Sequence, residues 1–248
     1  MSYLSLSFTL AFVFVVMGVS LWQKLDLERD LLIGTIRAAV QLLAVGWVLL
    51  WVFKLQSWIG ILAMLAVMIG VAAQNAAKRG KGLPGVGVRV LAAIAFTEVI
   101  TVGLMLLLHI IPATAQYVIP ISGMVVGNAM VNAGLLLNRL QGEVSARRGE
   151  VEVWLALGAT PRQAAAAVLK TAVKASMIPS VDALKTVGLV QLPGMMTGQI
   201  LAGASPLEAV KYQILIMYSL AAAAAICSIT LGALSVPLFF NRQAQLVR

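Results

Sequence analysis

The chain has almost nothing from which catalytic sites are usually built. Its 248 residues include one cysteine, Cys227, and one histidine, His109. A single cysteine excludes a disulfide within the chain and any cysteine-based zinc or iron–sulfur site. A single histidine excludes a histidine cluster. There is no G-x-S-x-G elbow, no H-E-x-x-H, and no cysteine–histidine pair with workable spacing. Nor is there a G-x-x-x-x-G-K-[ST] loop, so the chain cannot bind ATP in the P-loop manner. It reads as a protein that is not an enzyme and has no cofactor of its own. Charge is scarce as well, at 11% of residues.

What the chain does have is apolar length. Hydrophobic residues make up 61% and the mean hydropathy is +0.97, which rules out a soluble globular domain. The expected class is an all-α polytopic membrane protein, one transmembrane domain over residues 1–248, with about seven spans of about 20 residues each. Those spans are expected at residues 3–22, 32–53, 58–75, 86–111, 117–137, 186–204 and 209–237. No basic residue precedes the first apolar run, which is too long for a signal-peptide core. It reads as an uncleaved span.

The net charge of +9 points to orientation rather than to nucleic acid, because the basic residues sit in short loops between apolar runs. Alternating the spans collects three basic groups on one side. They are Lys78, Arg79 and Lys81; Arg139, Arg147, Arg148, Arg162, Lys170 and Lys174; and the tail from Arg242 to Arg248. Positive residues mark the cytoplasmic side, giving N-terminus out and C-terminus in. The lipid bilayer is its first partner.

The most organised polar stretch is EVEVWLALGATPRQA from Glu150. A short helix over 150–157 places Val151, Trp154 and Leu155 on one face. Gly158 ends it, since glycine takes the left-handed conformation without steric cost. Thr160 then caps a second helix, with Pro161 at its first position and Gln163 completing a capping box. This helix–corner–helix, within a cytoplasmic loop of about 139–176, is a rigid elbow suited either to gripping by another protein or to lying on lipid headgroups. The pattern of Glu152 and Gly158 resembles the E-A-A-x-x-x-G loop of ABC importer permeases, although Val153 and Trp154 replace the alanines. That resemblance implies a coupling helix that docks into an ATPase, carried by Glu152, Trp154, Leu157, Gly158, Thr160 and Pro161.

Inside the spans, Met124, Asn128 and Asn132 form a stripe at i, i+4, i+8 that must face protein or water rather than lipid. It lines a pathway or hydrogen-bonds between helices. Gly123 and Gly127 offer a close-contact face beside it. Pro193 and Gly194 break the span at 186–204, and broken helices often carry transport sites. Met195 and Met196 follow as soft ligands or as flexible packing. Asp182 and Lys185, at i, i+3, are expected to pair and anchor the cytoplasmic end of that span. Glu98 is the most deeply placed charge, as a cation ligand, a proton acceptor or a structural partner.

The longer motifs resemble one family. RAAVQLLAVG from Arg37, QNAAKR around Asn75, VIPISGMVVGNAM from Val118, LALGATPRQA from Leu155 and IPSVDALKTVGLVQLPGMMTGQILAG from Ile178 are similar to the FetB-type family of ABC permeases. The resemblance implies a permease subunit exporting iron, another metal or a metal-linked solute. It implies a separate ATP-binding subunit that holds ATP and Mg, and a permease homodimer within a two-plus-two complex. Two other classes remain open on the residues alone. One is an ion-coupled secondary transporter using Glu98 without an ATPase, and the other is a membrane scaffold with no pathway.

Overall fold

The structure, a computed structural model, describes residues 8–55, 57–241 and 243–247. The described residues are helical apart from turns and two isolated backbone bridges. They form two compact units that divide after Ser57.

The first unit is a helical hairpin. Helix α1 (Leu10–Gln23) ends where Lys24 turns left-handed at φ 50°, and α2 (Glu28–Leu55) begins four residues later. The corner is held by side chains. Ser20 donates to Glu28 Oε1 at 2.7 Å and accepts from the Leu27 amide at 3.3 Å. Glu28 and Asp30 lie in the first turn of α2, where the helix dipole favours negative charge. The span expected from residue 32 therefore begins four residues earlier, at Glu28.

The second unit is built around one long helix. It comprises α3 (Trp58–Ala77), a tight turn (Lys78–Gly80), α4 (Val86–Leu107), α5 (Ala115–Ala146), α6 (Arg148–Ala156), α7 (Pro161–Ala164), α8 (Ala166–Thr186), α9 (Gly194–Leu201) and α10 (Pro206–Ser235), closed by a tight turn (Val236–Phe239). Helix α5 packs against α3, α4, α8 and α10. Its Val125, Ala129, Ala133, Leu136, Leu137 and Leu140 are fully buried. Alanines come first along that face and leucines follow, so neighbours approach closely at the alanines and the leucines fill the space beyond.

Of the two glycines expected to permit close approach, Gly123 does so and Gly127 does not. A Cβ on Gly127 would meet nothing within 4 Å, whereas one on Gly134 would lie 2.8 Å from Arg79 Cδ and one on Gly232 would lie 2.5 Å from Leu169 Cδ1. Gly123 is intermediate, with Met68 Cε at 3.1 Å. The closest small-residue contact on α5 thus lies farther along the helix, where Arg79 crosses it.

Among the described residues five helices are long and apolar enough to cross a membrane: α2, α3, α4, α5 and α10 with its closing turn. Two of the seven expected spans are not among them. The first was expected at 3–22; α1 covers its later part, and residues 3–7 lie outside the described residues. The second is the broken helix expected at 186–204. The real helix there is α8, which lies before the break. Lys170, Lys174, Asp182 and Lys185 dilute its apolar residues, so hydropathy passes over it and settles on the next apolar stretch. That stretch cannot stay helical: Gly188 sits at φ 82° and Pro193 only caps the eight-residue α9.

Helix α8 runs antiparallel to α10. Leu169 reaches Gly232, Ser176 Oγ lies 3.1 Å from Ser228 Oγ, and Ala183 shares a cavity with Leu220 and Ala221. It therefore climbs from the elbow end of the bundle to the middle of α10.

Candidate functional site

The elbow forms as a capped corner. Helix α6 ends in a Schellman motif: the Ala159 amide donates to Trp154 O and the Gly158 amide to Leu155 O, both at 3.0 Å, with Gly158 at φ 90°. One residue later Thr160 caps α7. The Thr160 amide donates to Gln163 Oε1 at 2.9 Å and the Gln163 amide to Thr160 Oγ1 at 3.4 Å. Pro161 occupies the first helical position, where no amide is needed. Glu152 is tied to Arg148 by a 2.8 Å ion pair.

The apolar residues of α6 divide between two faces. Val151 is buried and Leu155 half-buried, both turned to the core, while Val153, Trp154 and Leu157 are exposed. Trp154 thus does not share the face of Val151 as the spacing suggested; it stands out from the bundle, about half exposed.

The C-terminal tail packs beneath this corner. Phe239 and Leu246 join the same core as Val151, Ala164 and Val168. Asn241 Oδ1 accepts from the Gln243 and Gln245 amides, folding the tail back. Between tail and elbow lies a groove of about 520 Å³ lined by Glu152, Leu155, Ala159 and residues 243–246. The basic turn Lys78–Gly80 occupies the same end, where Gln141 Nε2 donates to Lys81 O at 3.1 Å. Arg242 and Arg248 lie outside the described residues.

Halfway along the bundle is a cavity of about 220 Å³ between α5, α8 and α10, mostly apolar with a few polar groups in its wall. Asn128 and Asn132 line it from α5, Pro179, Ser180 and Ala183 from α8, Met217 and Leu220 from α10, and Gln191 and Pro193 from the helix break. Asn128 Nδ2 donates to Leu220 O at 2.7 Å. Asn132 Nδ2 donates to Asn128 O at 2.8 Å and to Asn128 Oδ1 at 3.1 Å. That leaves Asn132 Oδ1 buried with no protein partner. An orphaned amide oxygen at a cavity wall is an acceptor available to water or solute.

A second cavity of about 370 Å³ lies toward the far end of α10, with Met196, Gln213, Tyr218 and again Met217 among its walls. Gln213 Oε1 is likewise buried and unpartnered.

The sequence-derived candidates thus separate. Asn128, Asn132 and Pro193 meet at one cavity, and Met196 lines the next. Met124 and Met195 are half-buried and line neither. Gly194 opens α9, with nothing within 4 Å of an added Cβ. Ser180, Gln191, Gln213 and Met217 were not anticipated; a polar residue inside an apolar run was the available signal for Gln213. Among the described residues no three or more histidine, cysteine or acidic side chains come together as a metal cage.

Glu98 also lines neither cavity. It is 4% exposed on α4, and neither carboxylate oxygen is hydrogen-bonded. The Ser122 hydroxyl on α5 is its polar neighbour but stands outside hydrogen-bond geometry. A buried carboxylate without partners is destabilising. Glu98→Gln is therefore expected to unfold in detergent at a temperature no lower than the wild type. A fall of several degrees would reveal a partner holding the carboxylate.

Asp182 and Lys185 stand 3.6 Å apart. They do not anchor the elbow end of a span, because Ala183 between them lines the cavity of Asn128 and Leu220. The pair lies at mid-bundle, on α8 rather than ahead of a later helix.

These features define a polytopic helical membrane protein with a mid-bundle cavity and a capped surface elbow. The chain matches the Uncharacterised protein family (UPF0014) over residues 3–240 and belongs to that family. It is 51% identical to UPF0014 membrane protein YjkA of Bacillus subtilis, over 99% of this chain and 98% of that one. It is 40% identical to the Probable iron export permease protein FetB of Escherichia coli, over 98% of this chain and 94% of that one. It is 43% identical to Protein ALUMINUM SENSITIVE 3 of Arabidopsis thaliana, over 90% and 82%. No solved structure matches it. The protein is a multi-pass membrane protein, and its bacterial relatives agree with placement in the inner membrane.

Proposed function

We propose that this chain is the membrane-spanning permease subunit of an ABC transporter, driven by a separate ATP-binding subunit. The observation that carries the reading is the elbow. Three apolar side chains, Val153, Trp154 and Leu157, are left exposed on a corner whose backbone is capped on both sides. A rigid corner transmits force, and an exposed tryptophan is the residue type most often found as an interface anchor. The P-loop that the chain lacks then belongs to the partner, together with ATP and Mg. Two permeases and two ATPases complete the assembly.

The elbow, the basic turn Lys78–Gly80 and the end of α10 lie together, and the positive-inside rule supports a cytoplasmic place for that end. The cavity lined by Asn128, Asn132 and Pro193 is the solute chamber, with Met196 beyond it. The E. coli relative's description supports iron, another metal or a metal-linked solute as cargo, moved outward. Amide oxygens are hard ligands that suit a hydrated or chelated metal rather than a soft ion.

The test is a gentle-detergent purification of the tagged chain from its own host. A subunit bearing a P-loop is expected to be retained by the wild type. Trp154→Ala is expected to weaken its retention by roughly 30-fold, the effect of losing an anchor of about 2 kcal/mol. A chain that purifies without any ATPase, yet moves ions in liposomes by itself, overturns this reading. It would favour Glu98, with its two unpartnered oxygens, as the site of an ion-coupled carrier.

A further inference from the structure

The outward face of α8 is charged where a lipid-facing helix cannot be. Lys170, Lys174, Ile178, Val181 and Lys185 fall at i, i+4, i+8, i+11 and i+15, one stripe on the side away from Val168, Ala172 and Ser176. All five are exposed, and Asp182 stands beside the stripe. Lys170 lies near the elbow end, because its neighbour Leu169 reaches Gly232. Asp182 and Lys185 lie at mid-depth, beside Ala183 at the Asn128–Leu220 level. There their side chains are 60% and 69% exposed. Hydrocarbon does not accept an exposed ion pair at this depth, and the end of α8 that carries Lys185 stands at mid-bundle rather than at the headgroups.

The segment that follows gives a second, independent indication. Residues 187–193 are not helical, and Leu189 and Val190 are 88% and 82% exposed. Gln191 and Pro193 of this segment line the mid-depth cavity, and Val187, Gly188 and Leu192 line the second. Irregular backbone at membrane depth persists only where protein covers it or where it borders water.

We infer that the outward face of α8, with the Asp182–Lys185 pair and the 187–193 segment, lines a water-filled pathway for an anionic solute, such as an anionic metal chelate. Its sign comes from the side chains: three lysines face one aspartate, and neither Lys170 nor Lys174 has an acidic partner among the described residues. The Asp182–Lys185 pair, read from sequence as structural, becomes a pathway-lining pair. The inference deepens the permease reading and rests on the existence of a solute pathway. Its test needs neither transport nor an ATPase, so the two can fail separately.

The test is thiol accessibility in membrane vesicles open to reagent on both faces. The native Cys227 is fully buried and serves as an internal blank. Val181→Cys and Lys185→Cys are expected to be labelled completely by a membrane-impermeant methanethiosulfonate. Val99→Cys, an exposed apolar position on α4, is expected to react only with a lipid-soluble maleimide. At Val181→Cys the anionic reagent is expected to gain several-fold over the cationic one, relative to a free thiol. Labelling at α8 by the lipid-soluble reagent alone would assign the face to lipid, and no labelling by either would assign it to a protein contact. Each of those results overturns the inference, as does a preference for the cationic reagent.

Discussion

Gly158→Val is expected to abolish export while leaving the bundle folded. Gly158 takes φ 90°, and its amide closes the Schellman turn that ends α6. Nothing lies within 4 Å of an added Cβ, so the penalty is conformational rather than a clash. A non-glycine residue forced into this region costs about 1–2 kcal/mol, and a β-branched one more. The corner relieves that strain by reorienting α6 against α7. That moves Trp154 and Leu157 off the surface proposed to meet the ATPase. Because the corner is at the surface, the melting temperature of the bundle should fall by only a few degrees. Efflux of the proposed solute from cells, and solute-stimulated ATP hydrolysis by the reconstituted complex, should both fall to background. Gly158→Asn is the control, since asparagine enters the left-handed region most readily after glycine, and it should keep most activity. Normal efflux from the valine variant would remove the elbow from the coupling mechanism.

Asn128→Leu is expected to reduce export at least tenfold, more than its effect on stability explains. The substitution preserves approximate size but deletes the 2.7 Å bond to Leu220 O that ties α5 to α10. Asn132 keeps one acceptor, Asn128 O at 2.8 Å, and loses the side-chain acceptor at 3.1 Å. Loss of stability should therefore stay near 1 kcal/mol, the usual net value of one hydrogen bond. The cavity, however, becomes apolar at its centre, and a polar solute passing through it would lose a partner at the point where it is least hydrated. Thermal unfolding and efflux on the same preparation separate the two effects. A variant that loses stability but exports normally would show that Asn128 only binds helix to helix.

Both predictions concern local features that could be recognised before any coordinates. The elbow was legible because its parts are short-range: a glycine, a capping threonine, a proline and a glutamine within six positions, each acting on the backbone beside it. The same holds for the asparagine stripe, whose spacing already puts both residues on one face of a helix. Trp154 was misplaced because periodicity groups residues by angle but does not say which part of that arc the core covers. Tail residues Phe239 and Leu246 help to cover the side of α6 that Val151 faces, and nothing near Glu150 announces them.

The sequence by itself determined that the chain is helical, that it is too apolar for water, and which end collects the basic residues. It also determined that the chain has no P-loop, a lack that needs no fold to be noticed. The membrane-crossing helices themselves were legible because each must satisfy its own backbone within a continuous apolar run. Tertiary structure decided the rest. Only the antiparallel docking of α8 on α10 places Asp182 and Lys185 at mid-depth. Hydropathy treats a charged helix as loop, whereas a bundle can carry one wherever its charged face is kept from lipid. Only packing separates Glu98, enclosed between α4 and α5, from Asn128 and Asn132, which open onto a cavity. Depth along the chain is a local quantity, but enclosure depends on residues up to a hundred positions away.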